Sequence, residues 1–509
     1  MSGKNFVEVM DTTLRDGEQT QGVAFSPEEK LSIAKVLLKD VKVDRIEIAN
    51  ARVSKGELEA VKKMTAWAKE DGLLDRLEVM GFVDGEKSVN WIEESGAKTM
   101  NLLTKGSLKH CKQQLRKEPN EHFADIAETV KIAKEKGLKV NVYLEDWSNG
   151  MLDSKEYVFD LLEALEKLKI GRVFLADTLG VLSPSKTRKL VKETVEKFPD
   201  LVFEFHAHND YGLAVANTLE AVEAGAKGAH VTVNGLGERT GNAPLDEVVA
   251  SIKDHTKFKT EVKEKKNYKA GKMVETFSGK RLSENKPISG ESVFTQTAGI
   301  HADGDKKGDL YASNLMPERF GRQREYALGK LSGKASLEMN LRKLGIELND
   351  EQKKDVLARI VQLGDKKEKI TPEDLPYIVA DVLQTPEQQK IKIVNCVVSS
   401  GKGITPNASF TLEFNGEKIS ASGVGDGGYD AFMSALKDSV GKLGLELPQL
   451  VDYEVRIPPG GKTDALVETT ISWGKNGSRF KTIGVDSDQV MAAIKATEKM
   501  LNIVARNGK

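Results

Sequence analysis

The chain has 509 residues, enough for two to four domains with sizeable cores, and its 76 Lys and Arg balance 77 Asp and Glu, so no global field recruits nucleic acid or an anionic membrane. An apolar share of 39%, with the charges interspersed, argues against disorder, and no apolar run approaches membrane-spanning length. Residues 1–6 lack the apolar core of a signal peptide, and the two cysteines, Cys111 and Cys396, have no metal-type spacing, so a reduced, cytoplasmic setting is expected.

From residue 6 to about 255, short apolar runs alternate with helical patterns. Strands are expected at 6–11, 44–49, 77–82, 99–103, 139–145, 173–177, 202–206 and 229–234. Amphipathic helices are expected at 27–38, 57–69, 125–136, 157–168, 184–197 and 213–224. The first of these has a readable start, with Ser26 as N-cap, Pro27 at N1 and Glu29 at N3, a capping box. Gly137 and Gly225 fall where helix C-caps belong. Eight strands, each followed by a helical segment within about 250 residues, have the count and size of a closed (β/α)8 TIM barrel. An open doubly wound sheet is the alternative. Polar residues favour the barrel: Asp11, Thr104, Tyr143, Glu145, Asp177, Thr178, His206 and Asn234 fall at expected strand C-termini, its catalytic face.

Beyond residue 254 the texture changes. Residues 256–272 are rich in lysine and read as a solvated helix or linker, and 273–384 read as mainly helical. A Gly-rich loop containing His301 is expected from Thr297 to Tyr311, and Thr385-Pro386 marks a boundary. Residues 389–509 read as about three strands and a helix, twice over, with helices at 431–443 and 489–501, a pseudo-symmetric α+β (βββα)2 pair. Helix starts at the repeat interface could cradle a small carboxylate, or the pair could be a packing module without a ligand.

The chemistry concentrates at two places. His206 and His208 close an apolar run, and residues two apart on a strand point to the same side. Asp16 follows the first strand, and a carboxylate with two imidazoles suits a divalent cation, with Mn²⁺, Zn²⁺, Co²⁺ and Mg²⁺ all admissible. The Gly-rich run from Asn234 to Asn242 follows strand eight and could offer N–H groups to a phosphate or Asn242 as a further ligand. Arg15, beside Asp16, either meets negative charge developing on a metal-bound oxygen or forms a salt bridge. Glu145 reads as a base or the anchor of one. His110, His122, His230 and His255 read as structural or surface residues.

With these residues assembled, the chain resembles the acyl-CoA-condensing family of 2-isopropylmalate, homocitrate and citramalate synthases. Two signatures carry the likeness: Leu14-Arg15-Asp16-Gly17-x-Gln19 with Lys30 eleven positions on, and His206-x-His208-Asn209-Asp210-x-Gly212. Stretches 141–150 and 453–468 resemble spirochaete-type citramalate synthases. The resemblance implies a catalytic barrel at 1–265, helical linker subdomains at 266–388 and a regulatory domain at 389–509, assembled as a homodimer. It implies that Asp16, His206, His208 and Asn242 hold the metal and that Thr178 binds a 2-oxo acid's carboxylate. Arg15 would polarise the keto group, and Glu145, assisted by His301 and Tyr311 from the linker of the partner subunit, would deprotonate acetyl-CoA, the co-substrate. Met80, Leu103 and Tyr143 would line the pocket; their bulk suits pyruvate, giving (R)-citramalate, over 2-oxoisovalerate, giving 2-isopropylmalate. Met80 stands where the citramalate enzymes would be expected to carry leucine. The matching effector positions are Tyr429, Asp430, Leu450, Tyr453, Ile457 and Val467, for isoleucine or leucine according to the product. A lyase running the reverse cleavage and a non-catalytic sensor are the competing readings.

Overall fold

The computed structural model describes residues 5–308, 310–365, 370–383, 390–456, 467–475 and 478–507. The expected boundary at Thr385-Pro386 and the effector candidate Ile457 lie outside the described residues. Eight parallel strands follow one another around a ring in chain order. They are β1 (Glu8–Asp11), β2 (Arg45–Asn50), β3 (Leu77–Phe82), β4 (Thr99–Lys105), β5 (Lys139–Glu145), β6 (Val173–Asp177), β7 (Phe203–Ala207) and β8 (Gly228–Val231). β8 pairs back onto β1, with Val9 opposite Ala229, so the sheet is closed and the open-sheet alternative falls.

The outer layer holds α1 (Pro27–Lys35), α2 (Lys55–Glu70), α3 (Lys87–Glu94), α4 (Pro119–Glu135), α5 (Trp147–Asp153), α6 (Lys155–Lys167), α7 (Pro184–Lys197), α8 (Ala214–Glu223) and α9 (Leu245–His255). The start of α1 is the one read from sequence: Glu29 N–H donates to Ser26 Oγ (3.3 Å), and Ser26 N–H to the Glu29 carboxylate (2.8 Å). α1 ends earlier than its periodicity suggests because residues Val36–Val41 widen into a π-turn.

Alternation along the strands sorts the side chains. Outward residues such as Ile46, Ile48, Val79, Leu102 and Val142 join the main core against the helices. Inward, Met10, Met80, Tyr143 and Phe174 form a separate apolar cluster with Leu103, one residue from each of five strands. Toward the N-terminal strand ends the interior is charged. Arg45 donates to Glu8 (3.2 Å), Glu78 (2.8 Å) and Glu204 (2.5 Å), and Arg172 adds a second cation on Glu8 and Glu204. Buried carboxylates persist because each has a fixed cationic partner.

Lys30 of α1 is fully buried, with its Nζ 2.7 Å from Glu18 and 2.5 Å from Glu57. Glu18 belongs to the loop after β1 and Glu57 to α2, so one ammonium ties that loop to two helices.

Two compact units divide the chain: residues up to Phe294 with Ser313–Gln323, and Thr295–Ala312 with Arg324 onward. The first includes α10 (Asn267–Ser278). The second begins with β9 (Thr295–Gln296), which pairs with β10 (Glu325–Tyr326). The loop expected from Thr297 to Tyr311 is largely a helix, α11 (Gly299–Lys306), and it carries His301. Its glycines serve close packing: a β-carbon on Gly299 would stand 2.7 Å from the Gly333 backbone, and one on Gly304 2.5 Å from the Tyr311 ring. Tertiary contact therefore overrides weak helix propensity here.

Next come α12 (Lys334–Lys343), α13 (Asp350–Asp365) and α14 (Leu375–Val382), which share a small core built on Leu337, Leu341, Val356, Ile360 and Leu375. The remainder is the expected repeat. Strands β11 (Ile391–Ser399), β12 (Asn407–Phe414) and β13 (Glu417–Val424) precede α15 (Gly428–Lys442). Strands β14 (Gln449–Arg456), β15 (Val467–Lys475) and β16 (Ser478–Asp486) precede α16 (Gln489–Asn507). Both antiparallel sheets contribute to one core, in which Phe410 and Phe432 meet Ile471, Trp473 and Met500. No helix among the described residues is long and apolar enough to cross a membrane.

Lys30→Met would leave Glu18 and Glu57 without their shared cation. A loss of about 3 kcal/mol is expected, read as a lower urea midpoint at constant slope.

Candidate metal and active site

The loop after β1 is a tight turn: the N–H groups of Arg15, Asp16 and Gly17 all reach the Thr12 carbonyl (3.1, 2.8 and 3.1 Å). Asp11 supports it by accepting from Thr13 N–H (2.9 Å). Burial drives the Asp11 carboxyl up to about 7, against the bonds to Thr13. The turn delivers Arg15 and Asp16 to the C-terminal mouth of the barrel. The Arg15 guanidinium donates to Asp16 Oδ2 (2.8 Å), Glu47 Oε2 (2.5 Å) and the Tyr143 hydroxyl (3.2 Å). Burial opposes its charge, but Glu47 and Asp16 more than offset that and hold it protonated.

β7 supplies the imidazoles. His206 Nε2 lies 3.2 Å and His208 Nε2 3.7 Å from the same Asp16 Oδ2. Burial lowers both histidines, His208 to about 4, so both are neutral and able to ligate near pH 7. Burial alone would raise Asp16, but Arg15 and the two imidazoles outweigh it and hold the carboxyl well below its ordinary range. Ligand atoms of these three buried residues lie within 4.8 Å of one another.

The loop after β8 folds back on the end of β7 through a bridge between His208 and Asn242. Asn242 Nδ2 donates to the Leu236 carbonyl (3.1 Å). Its Oδ1 is buried without a hydrogen-bond partner among the described residues. An orphaned amide oxygen beside a carboxylate and two neutral imidazoles fits a divalent cation. Glycine is required in this loop. A β-carbon on Gly237 (φ +154°) would stand 2.1 Å from Asn242 Nδ2 and 3.1 Å from Asp16 Oδ1, and one on Gly241 1.9 Å from the Gly235 carbonyl. Arg239 then clips three loops together, donating to both Asp210 oxygens (2.8 and 2.9 Å) and to the Thr178 carbonyl (2.7 Å).

The three expected pocket residues are brought together: Met80, Leu103 and Tyr143 share the inward cluster with Met10 and Phe174. Tyr143 joins pocket and charge, since its hydroxyl also contacts His230 Nδ1 (3.2 Å) and Glu47 (3.3 Å). Thr178 Oγ1 accepts from the Asp146 N–H (2.8 Å), which leaves the hydroxyl proton to donate. Glu145, at the end of β5, forms an ion pair with Lys105 at the end of β4.

His301 and Tyr311 lie in the second unit with ring centroids 4.2 Å apart. Of the effector candidates, Tyr429 on α15 and Tyr453 on β14 come from opposite halves of the repeat and meet at 5.2 Å. Tyr429 also contacts Thr497 (2.7 Å), and Asp430 accepts from Asp426 N–H (3.0 Å) at the start of α15. Leu450 is exposed on β14 and Val467 buried at the start of β15.

Sequence reading missed Glu47, Lys105, Met10, Phe174 and Arg239. Glu47 and Lys105 carried a signal, since both continue the inward alternation that starts with Arg45 and with Leu103. His230 was expected to be structural or at the surface; it is buried between Glu204 (3.0 Å) and Tyr143.

Three family descriptions match the chain: HMGL-like over residues 6–274, Homocitrate synthase post-HMGL domain-like over 288–368 and LeuA allosteric (dimerisation) domain over 369–505. The chain is 36% identical over 501 residues to the (R)-citramalate synthase CimA of Methanocaldococcus jannaschii, covering 98% of this chain and 99% of that one. It is 34% identical over 511 residues to the 2-isopropylmalate synthase of the same organism, covering 99% and 96%.

Gly237→Ala is expected to displace Asn242 and Asp16 and to weaken divalent cation binding about 10- to 100-fold. Titration calorimetry with Mn²⁺ would measure it.

Proposed function

Because the chain belongs to the acyl-CoA-condensing family of citramalate and 2-isopropylmalate synthases, we propose that it condenses acetyl-CoA with pyruvate and hydrolyses the thioester, releasing (R)-citramalate and CoA. Several relatives named (R)-citramalate synthase support pyruvate, and the 2-isopropylmalate synthases, at 34–35% identity, are the less supported alternative. The observation that carries pyruvate is the inward cluster of Met10, Met80, Leu103, Tyr143 and Phe174, whose bulk suits a methyl group better than an isopropyl group.

Asp16, His206, His208 and Asn242 would hold a divalent cation, which when bound supplies Lewis acidity to a chelating 2-oxo acid. Thr178 donates its hydroxyl proton to the substrate carboxylate. Arg15 presents fixed positive charge where the keto oxygen becomes an alkoxide, and Glu47 and Tyr143 orient it beforehand, so little reorganisation is needed. Glu145 takes a proton from the acetyl methyl, with the partner subunit's His301 and Tyr311 assisting. A thioester α-proton is far less acidic than a carboxyl, so positioning and preorganised charge supply most of the rate. The enolate carbon attacks the keto carbon, and water then cleaves the thioester.

The match to a LeuA allosteric (dimerisation) domain supports a homodimer under feedback control. For a citramalate product the expected inhibitor is isoleucine, held near Tyr429, Asp430, Leu450, Tyr453, Ile457 and Val467. The free thiols of Cys111 and Cys396 support a reducing, cytoplasmic setting.

CoA release from acetyl-CoA with Mn²⁺ or Mg²⁺ is expected to be strongest with pyruvate among pyruvate, 2-oxobutyrate, 2-oxoisovalerate and 2-oxoglutarate. Strongest turnover with 2-oxoisovalerate would overturn the pocket reading in favour of 2-isopropylmalate synthesis. Leu103→Ala and Met80→Ala are each expected to shift kcat/KM toward 2-oxoisovalerate relative to pyruvate by about 10- to 100-fold, measured in the same assay.

A further inference from the structure

Lys105 has no part in the mechanism above, yet its setting is unlike that of a surface lysine. It is the last residue of β4, directly opposite Glu145, the last residue of β5. Two residues earlier on each strand stand Leu103 and Tyr143, both in the inward cluster. Alternation therefore sends Lys105 and Glu145 to the same inward face, over the pocket at the C-terminal mouth. The Lys105 side chain is 10% exposed and its ammonium pairs with Glu145 Oε2.

The Lys105 backbone is also pinned by side chains. Its N–H donates to His122 Nε2 (3.2 Å), and its carbonyl accepts from the Tyr157 hydroxyl (2.8 Å). Burial lowers His122 to about 4, so the imidazole is neutral and free to accept. The next residue, Gly106, donates its N–H to the Glu145 carbonyl (2.6 Å), and a β-carbon there would stand 2.9 Å from that same oxygen. The two strand ends are thus held in fixed relation.

We propose that Lys105 is a further catalytic residue, the cation that receives the thioester oxygen of acetyl-CoA while Glu145 removes the methyl proton. The inference rests on the condensation proposed above. The charges require such a group. At rest the ammonium and the carboxylate cancel. In the proton transfer the methyl C–H bond breaks and an O–H bond forms on Glu145. The C–H electron pair becomes the enolate π bond, and the carbonyl π pair moves onto the thioester oxygen. Negative charge leaves Glu145 and appears on that oxygen, and the Lys105 ammonium loses one anionic partner as the other forms beside it. Arg15 already directs its donors at Asp16, Glu47 and Tyr143, on the keto side of the reaction. When the enolate carbon attacks the keto carbon, the C–C bond forms, the thioester carbonyl is restored and the keto π pair becomes an alkoxide. The proton on Glu145 passes through water to that alkoxide, and Lys105 pairs again with the Glu145 carboxylate.

The test uses the full-length protein with acetyl-CoA and its trideuterated form. Lys105→Met is expected to lower kcat about 100- to 1000-fold, the usual cost of one lost oxyanion donor. It should leave the KM of the 2-oxo acid and the bound metal unchanged and raise the primary deuterium isotope effect on kcat, because proton removal becomes the slower step. Lys105→Arg, which keeps the charge in another shape, should recover part of the rate. A wild-type kcat and isotope effect in Lys105→Met would overturn the proposal, as would a loss carried wholly by KM or by metal content. If Lys105→Met does not fold, an unaltered isotope effect in Lys105→Arg would overturn it equally. No CoA release by the wild-type protein with any 2-oxo acid would instead strike the proposed activity itself.

Discussion

A guanidinium that is only 6% exposed governs the architecture of the barrel interior. Arg15 cannot shed its charge, so burial demands that its donors be met by oxygens fixed in place. Its partners come from the turn after β1, from β2 and from β5, and each is itself constrained. Asn101 holds the other oxygen of Glu47 (2.7 Å). Tyr143 passes the chain of contacts to His230, His230 to Glu204, and Glu204 to Arg45 and Arg172. Polar contacts therefore run through the ring from the charged plug to the mouth, crossing the apolar cluster at the Tyr143 hydroxyl. A network this buried is stabilising only when each member is satisfied, which restricts what can be substituted inside the ring.

The C-terminal repeat solves a different problem. Each βββα half has one apolar face and too little depth to bury it alone, and the two halves share a single core. α16 also covers the edge of the first sheet: Asn502 and Glu498 accept from the backbone N–H groups of Ile391 and Ile393 (both 3.0 Å). The first residues of an otherwise open strand edge are thereby capped within the chain. The ring contact between Tyr429 and Tyr453 bridges the same two halves.

Much of this was legible in the sequence because the signals were local. The Ser26 capping box, the boundaries of β3, β5 and β6, and the spacing of His206 and His208 depend on neighbours within a few residues, and they recur in the structure. The pocket residues were reached through resemblance, and β-sheet register then brought Met80, Leu103 and Tyr143 together. Glu47, Lys105 and Arg239 were not reached. Alternation turns Glu47 and Lys105 inward, but their roles and that of Arg239 arise from partners 32, 40 and 61 residues away in Arg15, Glu145 and Thr178, which periodicity does not identify. At Gly299–Lys306 the sequence suggests a loop, because glycine normally signals freedom. Here it marks close approach to Gly333 and Tyr311.

The clasp made by Arg239 divides the rim of the barrel into two sectors with different tolerance for change. Thr178, His208, Asp210 and Asn242 sit on loops that one guanidinium joins, so their positions are coupled. Any drift at Thr178 would therefore also disturb His208 and Asn242, two of the proposed cation ligands. The opposite sector, at β3 and β4, presents Met80 and Leu103, which take part in the rim only through apolar packing. Under the proposed function, acceptance of a new side chain on the 2-oxo acid can evolve there by exchange of one hydrocarbon for another, without disturbing the loops that Arg239 joins.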